Sequence, residues 1–167
     1  KRVETNSAVQ PVLVKVDNNT FAMTYKSNSS DGHIRTFDVP SDGSSITPKS
    51  FYEYDRGTES YFNFLKVSDG IFAHVARDRW GRGQIRIFTI NNTSGTITKS
   101  NGPKQFSTLY YGMSSLIHLN GTTYALAYQG VSNKGYIATI KISSDGTSIE
   151  ILKNEPHTSS SVSDHRI

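Results

Sequence analysis

The sequence predicts an all-β protein built from three similar four-stranded repeats. A glycine that opens an isoleucine-containing strand recurs at Gly32, Gly83 and Gly135, with spacings of 51 and 52 residues. An aromatic residue followed by alanine keeps the same spacing, and so does a turn that ends in glycine. A period near 50 residues is typical of arrays whose units bury their apolar faces against one another. The recurring aromatic residues are Phe21, Phe72 and Tyr124, and the recurring turns are Asp42-Gly43, Ser94-Gly95 and Asp145-Gly146.

Four β-like runs follow one another in each repeat. Turns rich in Asp, Asn and Gly separate the first run from the second and the third from the fourth, and these residues tolerate the positive φ of tight hairpins. Because short connections join antiparallel strands, each repeat is predicted to form one antiparallel sheet. The predicted runs are 12–16, 21–25, 33–39 and 46–54 in the first repeat, 64–67, 71–76, 84–90 and 97–99 in the second, and 115–119, 124–128, 136–142 and 149–153 in the third.

Side-chain alternation supports strands and argues against helices. Ile34 and Thr36 lie on one face of their predicted strand, and Arg35 and Phe37 lie on the other. No stretch combines a 3.6-residue apolar period with helix caps. The sequence therefore predicts an all-β chain without an amphipathic helix.

The composition excludes several kinds of site and partner. The 167 residues include no cysteine, which excludes disulfides, thiolate metal sites and a cysteine nucleophile. The net charge of +4 arises from Lys and Arg residues that are mostly spread singly, not from a basic run of the nucleic-acid-binding kind. No segment approaches the roughly 20 consecutive apolar residues of a membrane helix. We therefore expect no nucleic-acid partner and no membrane span.

Several predicted turns match the N-glycosylation acceptor pattern. This pattern requires a surface loop in a secreted protein, and the absence of cysteine is compatible with such a compartment. The matches favour an extracellular or cell-surface glycoprotein, although a chain rich in Asn, Ser and Thr also yields such matches by chance. The candidate acceptors are Asn18, Asn28, Asn91, Asn92 and Asn120.

Four antiparallel strands repeated about every 50 residues resemble a blade of the β-propeller proteins. A loop followed by Gly-x-Ile-x-x-Phe/Ile and then by Asp-Gly-x-x-Ile resembles repeats of secreted or surface-anchored microbial propellers. The chain lacks the recurring Trp-Asp of WD40 proteins and the Gly-Gly doublet of Kelch proteins. The resemblance implies one propeller segment over residues 1–167, with repeats at about 8–59, 60–110 and 111–162 and the start of a further blade at 163–167.

Three blades are fewer than the four or more that close a propeller. An open set would expose apolar sheet faces, which soluble monomers avoid. We therefore expect a part of a larger propeller, or a unit that self-assembles into one. The partners would be further blades of the same parent chain or a second copy of this chain. An open stack of sheets is the remaining alternative.

The loop 77–83 breaks the repeat and is the best candidate ligand site. It holds the single Trp of the chain and three arginines, whereas the corresponding loops of the other repeats contain neither Trp nor Arg. Guanidinium groups bind carboxylate or phosphate bidentately, indole stacks on sugars, and an aspartate accepts hydrogen bonds from hydroxyls. The loop predicts a site for an acidic glycan or acidic surface, and the alternative is a tryptophan packed on its own blade. The candidate residues are Arg77, Asp78, Arg79, Trp80 and Arg82.

Two further sets of residues carry weaker signals. Lys15, Lys66 and His118 share one position of the first strand, which predicts either a channel-facing polar contact or a solvated strand face. A group of aromatic residues occurs where one repeat passes to the next and is interpreted as core between blades, with a carbohydrate cleft as the alternative. This group comprises Tyr52, Tyr54, Tyr61, Phe62, Tyr110 and Tyr111.

The sequence favours a non-catalytic module with a structural, adhesive or glycan-binding role. One alternative is a lectin that closes its ring by homo-oligomerisation, but a lectin should repeat its ligand residues and Trp80 has no counterpart. Another is part of a propeller glycosidase or lyase, but such an enzyme should carry an acid-rich irregular loop, whereas this one is basic. No catalytic set, metal-ligand spacing or cofactor motif is present, so we expect no metal and no cofactor.

Overall fold

The described residues fold into twelve β-strands. The computed structural model describes residues 8–27, 31–57, 60–108 and 110–161, with side chains through residue 158. Branched and aromatic side chains dominate the strand centres because they fit a half-buried pleated surface. The strands are β1 (Val9–Lys15), β2 (Thr20–Lys26), β3 (Gly32–Asp38), β4 (Thr47–Asp55), β5 (Ser60–Ser68), β6 (Ile71–Arg77), β7 (Gly83–Ile90), β8 (Ile97–Gln105), β9 (Ser114–Asn120), β10 (Thr123–Gln129), β11 (Lys134–Ile142) and β12 (Ile149–Ser161).

Consecutive strands form three antiparallel sheets of four strands each, which we call blades. Blade 1 contains β1–β4, blade 2 contains β5–β8 and blade 3 contains β9–β12, each in chain order. The predicted three four-stranded antiparallel repeats are therefore confirmed. A short 3-10 turn, Val131–Asn133, occupies the β10–β11 loop. The predicted start of a further blade at 163–167 lies outside the described residues.

The fourth strand of blades 2 and 3 is longer than the sequence predicts. The run predicted at 97–99 extends over Ile97–Gln105, and the run predicted at 149–153 extends over Ile149–Ser161. These edge strands carry mostly exposed side chains. Because both of their faces are largely wet, they lack the apolar alternation on which the prediction depends.

The blades stack face to face, and we call the two faces of each blade leading and trailing. Equivalent residues line equivalent faces because the cross-strand register repeats: Phe21 pairs with Phe37, Phe72 with Phe88 and Tyr124 with Ile140. The leading faces hold Leu13, Phe21, Met23, Phe37, Val39 and Ile46 in blade 1, Phe64, Phe72, His74, Phe88, Ile90 and Ile97 in blade 2, and Leu116, Tyr124, Leu126, Ile140, Ile142 and Ile149 in blade 3. The trailing faces hold Val14, Ala22, Thr24, Ile34 and Thr36 in blade 1, Leu65, Ala73, Val75, Ile85 and Ile87 in blade 2, and Ile117, Ala125, Ala127, Ile137 and Thr139 in blade 3.

The hydrophobic core lies between the blades. The leading face of blade 2 packs on the trailing face of blade 1, where Phe72 and Phe88 are fully buried against Ala22 and Ile34. The leading face of blade 3 packs in the same way on the trailing face of blade 2. Each fully buried Phe contributes roughly 2 kcal/mol of hydrophobic stabilisation. Stability therefore depends on blade-to-blade contact, as expected for a repeat that cannot bury its faces alone.

Side chains also bond to backbone across the junction of blades 1 and 2. Thr36 Oγ1 donates to the Gly95 carbonyl at 2.8 Å, and Lys66 Nζ donates to the Val16 carbonyl at 2.7 Å. Gly95 has a φ of +72°, and a Cβ at this position would lie 2.7 Å from Thr36 Oγ1. The Ser94-Gly95 turn therefore requires glycine for both its backbone angle and its closeness to the neighbouring blade.

Candidate functional site

Asp78 organises the loop 77–83, which connects β6 to β7. Its carboxylate is buried, with 5% of the residue exposed. Oδ1 accepts from the backbone N–H groups of Trp80 and Arg82 at 3.0 and 2.9 Å. Oδ2 accepts from Arg82 Nε at 2.8 Å, lies 2.7 Å from Arg82 Nη2, and accepts from Gln84 Nε2 at 2.9 Å. The loop is therefore tied to one internal carboxylate.

The turn at the tip of the loop presents Trp80 to solvent. Gly81 adopts a φ of +86° and donates its N–H to the Asp78 carbonyl at 3.0 Å. Trp80 is 62% exposed, so it does not pack into its own blade. The guanidinium carbons of Arg79 and Arg82 lie 4.0 and 4.4 Å from the indole centroid. These cation–π contacts hold two guanidinium groups beside one rigid ring.

A cleft of about 410 Å³ separates this loop from the end of β4 in blade 1. We call it the junction cleft, because one wall belongs to blade 2 and the other to blade 1. The wall from blade 1 includes Asp55 and Arg56, and the floor includes Arg86 of β7. The full lining is Asp55, Arg56, Gly57, Asp78, Arg79, Trp80, Arg82, Gln84, Arg86 and Pro103.

The junction cleft carries more positive than negative charge. Its four arginines face two aspartates, and both carboxylates are already engaged. Asp55 accepts from Arg86 Nη2 at 2.9 Å and from the Gly57 N–H at 2.7 Å. Arg56 and Arg79 are exposed at the two walls, although Arg56 Nε also pairs with Glu53 at 2.7 Å. Because the carboxylates are occupied, the cleft suits an anionic ligand more than a cation.

The structure brings four of the five residues predicted in this loop to the junction cleft. Asp78, Arg79, Trp80 and Arg82 line it. Arg77 instead donates from Nε to Ser60 Oγ at 3.0 Å and lies over the ring of Tyr61, with Cζ 4.7 Å from its centroid. The sequence analysis did not predict Asp55 and Arg56 in the wall from blade 1 or Arg86 in the floor, because a single sequence does not show which loops of different repeats meet. The alternating Gln84 and Arg86 within an otherwise apolar strand were the available signal.

The first strand of each blade carries one of the three predicted polar residues, at the same position of the cross-strand register. Lys15 pairs with Phe21, Lys66 with Phe72 and His118 with Tyr124. Lys66 Nζ bonds to blade 1, as described above, and also lies 3.1 Å from Asp69 Oδ1. His118 Nε2 lies 2.9 Å from the carbonyl oxygen of Gly121. Exposure of this position to a central channel stays a prediction.

The candidate glycosylation sites differ in accessibility. Asn18, Asn91 and Asn120 are exposed. Asn92 is half-buried, and its Nδ2 donates to Asp69 Oδ2 at 2.9 Å. A glycan on Asn92 would compete with this hydrogen bond. Asn28 lies outside the described residues.

His74 is a buried imidazole at the junction of blades 1 and 2. Its Nε2 lies 3.1 Å from Tyr54 OH and 3.3 Å from Thr24 Oγ1, both in blade 1. Burial, followed by the nearby charge of Arg86, lowers the pKa of His74 well below 6.5. The imidazole is therefore neutral at pH 7 and acts as a polar link between the blades. Among the residues whose positions are described, no group of three His, Asp or Glu side chains could hold a metal ion.

Most of the aromatic group predicted between repeats lies in the core. Tyr111 and Phe62 are buried, and Tyr52 and Tyr54 pack against the core between blades 1 and 2. Tyr110 is 38% exposed. Within the described ranges, no helix has the length and apolar character needed to cross a membrane.

A solved structure shows the same type of fold. It is a Bacteroides fragilis protein described as a candidate 6-phosphogluconolactonase, with a TM-score of 0.59 and 15% identity. The match covers 87% of this chain but 39% of that chain, so this chain spans well under half of its length. No protein-family model and no curated protein matches the chain. The likeness and the three sheets confirm a propeller-type all-β fold, and the partial coverage is compatible with further blades.

Proposed function

We propose that this chain is a non-catalytic propeller module that binds acidic glycans in the junction cleft. The observation that carries the proposal is the placement of Arg79 and Arg82 beside an exposed, rigid indole. A flexible arginine loses rotamer freedom when it binds a ligand, and prior stacking reduces this loss. The sugar carboxylate or sulfate would bind the exposed guanidinium groups of Arg79 and Arg56, one from each wall.

The occupied carboxylates of the cleft favour binding over catalysis. A glycosidase of the usual kind needs one carboxyl group that donates a proton and a second that acts as nucleophile or base. Here Asp55 and Asp78 accept hydrogen bonds from arginines and from backbone N–H groups. These bonds support a structural role for both groups in the module that we propose. A role in adhesion follows from recognition without turnover.

A secreted or cell-surface location fits this role. Acidic polysaccharides are abundant outside cells, and the acceptor positions Asn18, Asn91 and Asn120 are exposed. Expression through a eukaryotic secretory pathway should give a chain whose mass falls on treatment with an N-glycosidase. An unchanged mass would remove the sequons as support for this location.

Titration calorimetry with defined probes tests the proposed binding. Oligogalacturonate and a heparin oligosaccharide are the acidic probes, and a dextran oligosaccharide is the neutral control. We expect the acidic probes to bind and their affinity to fall as salt rises, because guanidinium–anion attraction is screened. Equal binding of the neutral probe, or no binding at low salt, would contradict the proposal.

A phosphorylated sugar forms the second arm of this experiment. The structural neighbour is named for action on such a compound, and arginines bind phosphate as well as carboxylate. 6-Phosphogluconate is therefore titrated beside the glycans. Tighter binding of this small molecule than of either acidic oligosaccharide would overturn the glycan proposal in favour of a phosphosugar site.

A further inference from the structure

An apolar groove lies on the leading face of blade 1. It encloses about 320 Å³, and all of its lining side chains are apolar. Leu13 is 63% exposed and Ile46 is 51% exposed, which is unusual for large apolar residues grouped on one sheet face. The lining residues are Leu13, Phe21, Met23, Phe37, Val39 and Ile46.

Each residue of this groove has equivalents that are covered in blades 2 and 3. Phe21 and Phe37 correspond to Phe72 and Phe88, which have no exposed surface. The leading face of blade 2 is covered by the trailing face of blade 1, and the leading face of blade 3 is covered by the trailing face of blade 2. The groove is therefore equivalent to the leading faces of blades 2 and 3, and none of the described strands packs against it.

The trailing face of blade 3 is equivalent to the faces that cover blades 2 and 3. Ala125 and Ile137 on the trailing face of blade 3 correspond to Ala22 and Ile34, which cover blade 2. On the same face, Ile137 of β11 is 43% exposed and Ile117 of β9 is 36% exposed. One chain thus displays a leading face and a matching trailing face at opposite ends.

We propose that the leading face of blade 1 binds the trailing face of blade 3 from a second copy. Two copies related by a two-fold rotation would form two identical head-to-tail junctions and close a six-bladed ring. The polar contacts of the existing junction extend to the new one. Lys66 Nζ bonds to the Val16 carbonyl, so its equivalent Lys15 would bond to the Leu119 carbonyl of the second copy.

Light scattering coupled to size exclusion measures the assembly directly. We expect a mass of twice the 18.5 kDa of one chain. Met23→Glu, in the groove, and Ile137→Glu, on the opposite face, should each shift the protein to monomer. Val131→Glu is the matched control, because Val131 is an exposed apolar residue in the β10–β11 loop. Circular dichroism checks that each variant remains folded, so that a loss of dimer can be assigned to the junction.

Mixing the two variants distinguishes a head-to-tail dimer from a symmetric one. A Met23→Glu copy retains a good trailing face, and an Ile137→Glu copy retains a good leading face. A mixed pair therefore contains one intact junction, and we expect the mixture to recover dimer that neither variant forms alone. Recovery would not occur if two leading faces packed on each other.

Cross-linking locates the junction. The chain has no cysteine, so Lys15→Cys and Leu119→Cys together introduce one thiol on each face. A short bifunctional maleimide should give covalent dimer with the double variant and not with either single variant. A monomeric parent chain, a dimer unaffected by Met23→Glu, or cross-linking of one single variant to itself would each overturn the proposal.

Discussion

Arg86 and Asp55 belong to different blades, yet Nη2 of the arginine lies 2.9 Å from Oδ2 of the aspartate. The arginine side chain is 5% exposed and the aspartate side chain 27% exposed. Gln84 Oε1 accepts a further hydrogen bond from Arg86 at 3.0 Å. The pair therefore joins the wall of the junction cleft to its floor and also links blade 2 to blade 1.

A double-mutant cycle should show strong coupling across this junction. We expect Asp55→Asn to cost about 3 kcal/mol of unfolding free energy, because it removes the carboxylate that pairs with the buried guanidinium of Arg86. Arg86→Met should cost less, since Asp55 can reach solvent. The double variant should be more stable than the sum of the single effects predicts, by about 1–2 kcal/mol. Urea unfolding measures all three, and additive losses would show that the pair does not link the blades.

Asp78→Asn should destabilise the protein and disorder the loop 77–83. An amide can replace one of the two acceptor oxygens but places an N–H group opposite the donors of Arg82 or Gln84. We expect a loss of about 3 kcal/mol in unfolding free energy, together with the loss of acidic-glycan binding. The matched control is Asp42→Asn, in an exposed turn, which should change stability by less than about 0.5 kcal/mol. Equal losses in the two variants would refute the anchoring role of Asp78.

The neutral buried imidazole of His74 should make the protein less stable in mild acid. Its folded-state pKa lies well below 6.5 because of burial and the Arg86 charge. As the pH falls below about 6.5, the unfolded chain takes up a proton that the folded chain excludes. The free energy of unfolding should therefore fall by up to about 1.4 kcal/mol per pH unit, until the folded-state pKa is reached.

The substitution His74→Leu isolates this contribution. Leucine stands at the equivalent position of blade 3, where Leu126 is fully buried. Urea unfolding between about pH 7.5 and pH 5 should show a flatter dependence for His74→Leu than for the parent chain. His118→Gln, on the exposed strand β9, is the control and should retain the dependence. A variant as acid-sensitive as the parent would exclude His74 as the cause.

Trp80→Ala should weaken acidic-glycan binding without unfolding the protein. The exposed indole contributes little to the core, but its loss frees Arg79 from its stacked position, whereas Arg82 stays bonded to Asp78. We expect affinity for oligogalacturonate to fall about ten-fold, corresponding to roughly 1.4 kcal/mol. Trp80→Phe keeps an aromatic face and should retain most of the affinity. If Trp80→Ala binds as tightly as the parent, the stacked arrangement is not part of the site.

The sequence alone predicted the inner strands well and the outer strands poorly. The inner strands alternate or are apolar on both faces, and a repeated glycine marks the start of each third strand. The fourth strand β8 contains Asn101, Gly102 and Pro103, a combination that resembles a loop in isolation. Its continuation depends on pairing with β7, where Asn101 lies opposite Ile87. This pairing is tertiary information that residue patterns do not carry.

The sequence predicted the loop of blade 2 that lines the candidate site but not the part of the site that belongs to blade 1. Trp80 and its neighbouring arginines stood out because the other repeats lack them. The contribution of Asp55 and Arg56 depends on how closely blade 1 approaches blade 2. Two residues 31 positions apart, Asp55 and Arg86, share no local pattern, so their contact follows from blade packing.

The partners of His74 also specify which blade may precede blade 2. The imidazole reaches Thr24 and Tyr54, which blade 1 alone supplies. At the position of Thr24, blade 2 carries Val75 and blade 3 carries Ala127. In a permuted or duplicated array, blade 2 or blade 3 could come before the blade that contains His74. The buried imidazole would then contact a hydrocarbon side chain where Thr24 now offers a hydroxyl group. The hydrogen bonds of His74 thus favour the native order of the blades. Arrays with the blades in another order should be less stable than the native chain, even with every blade present.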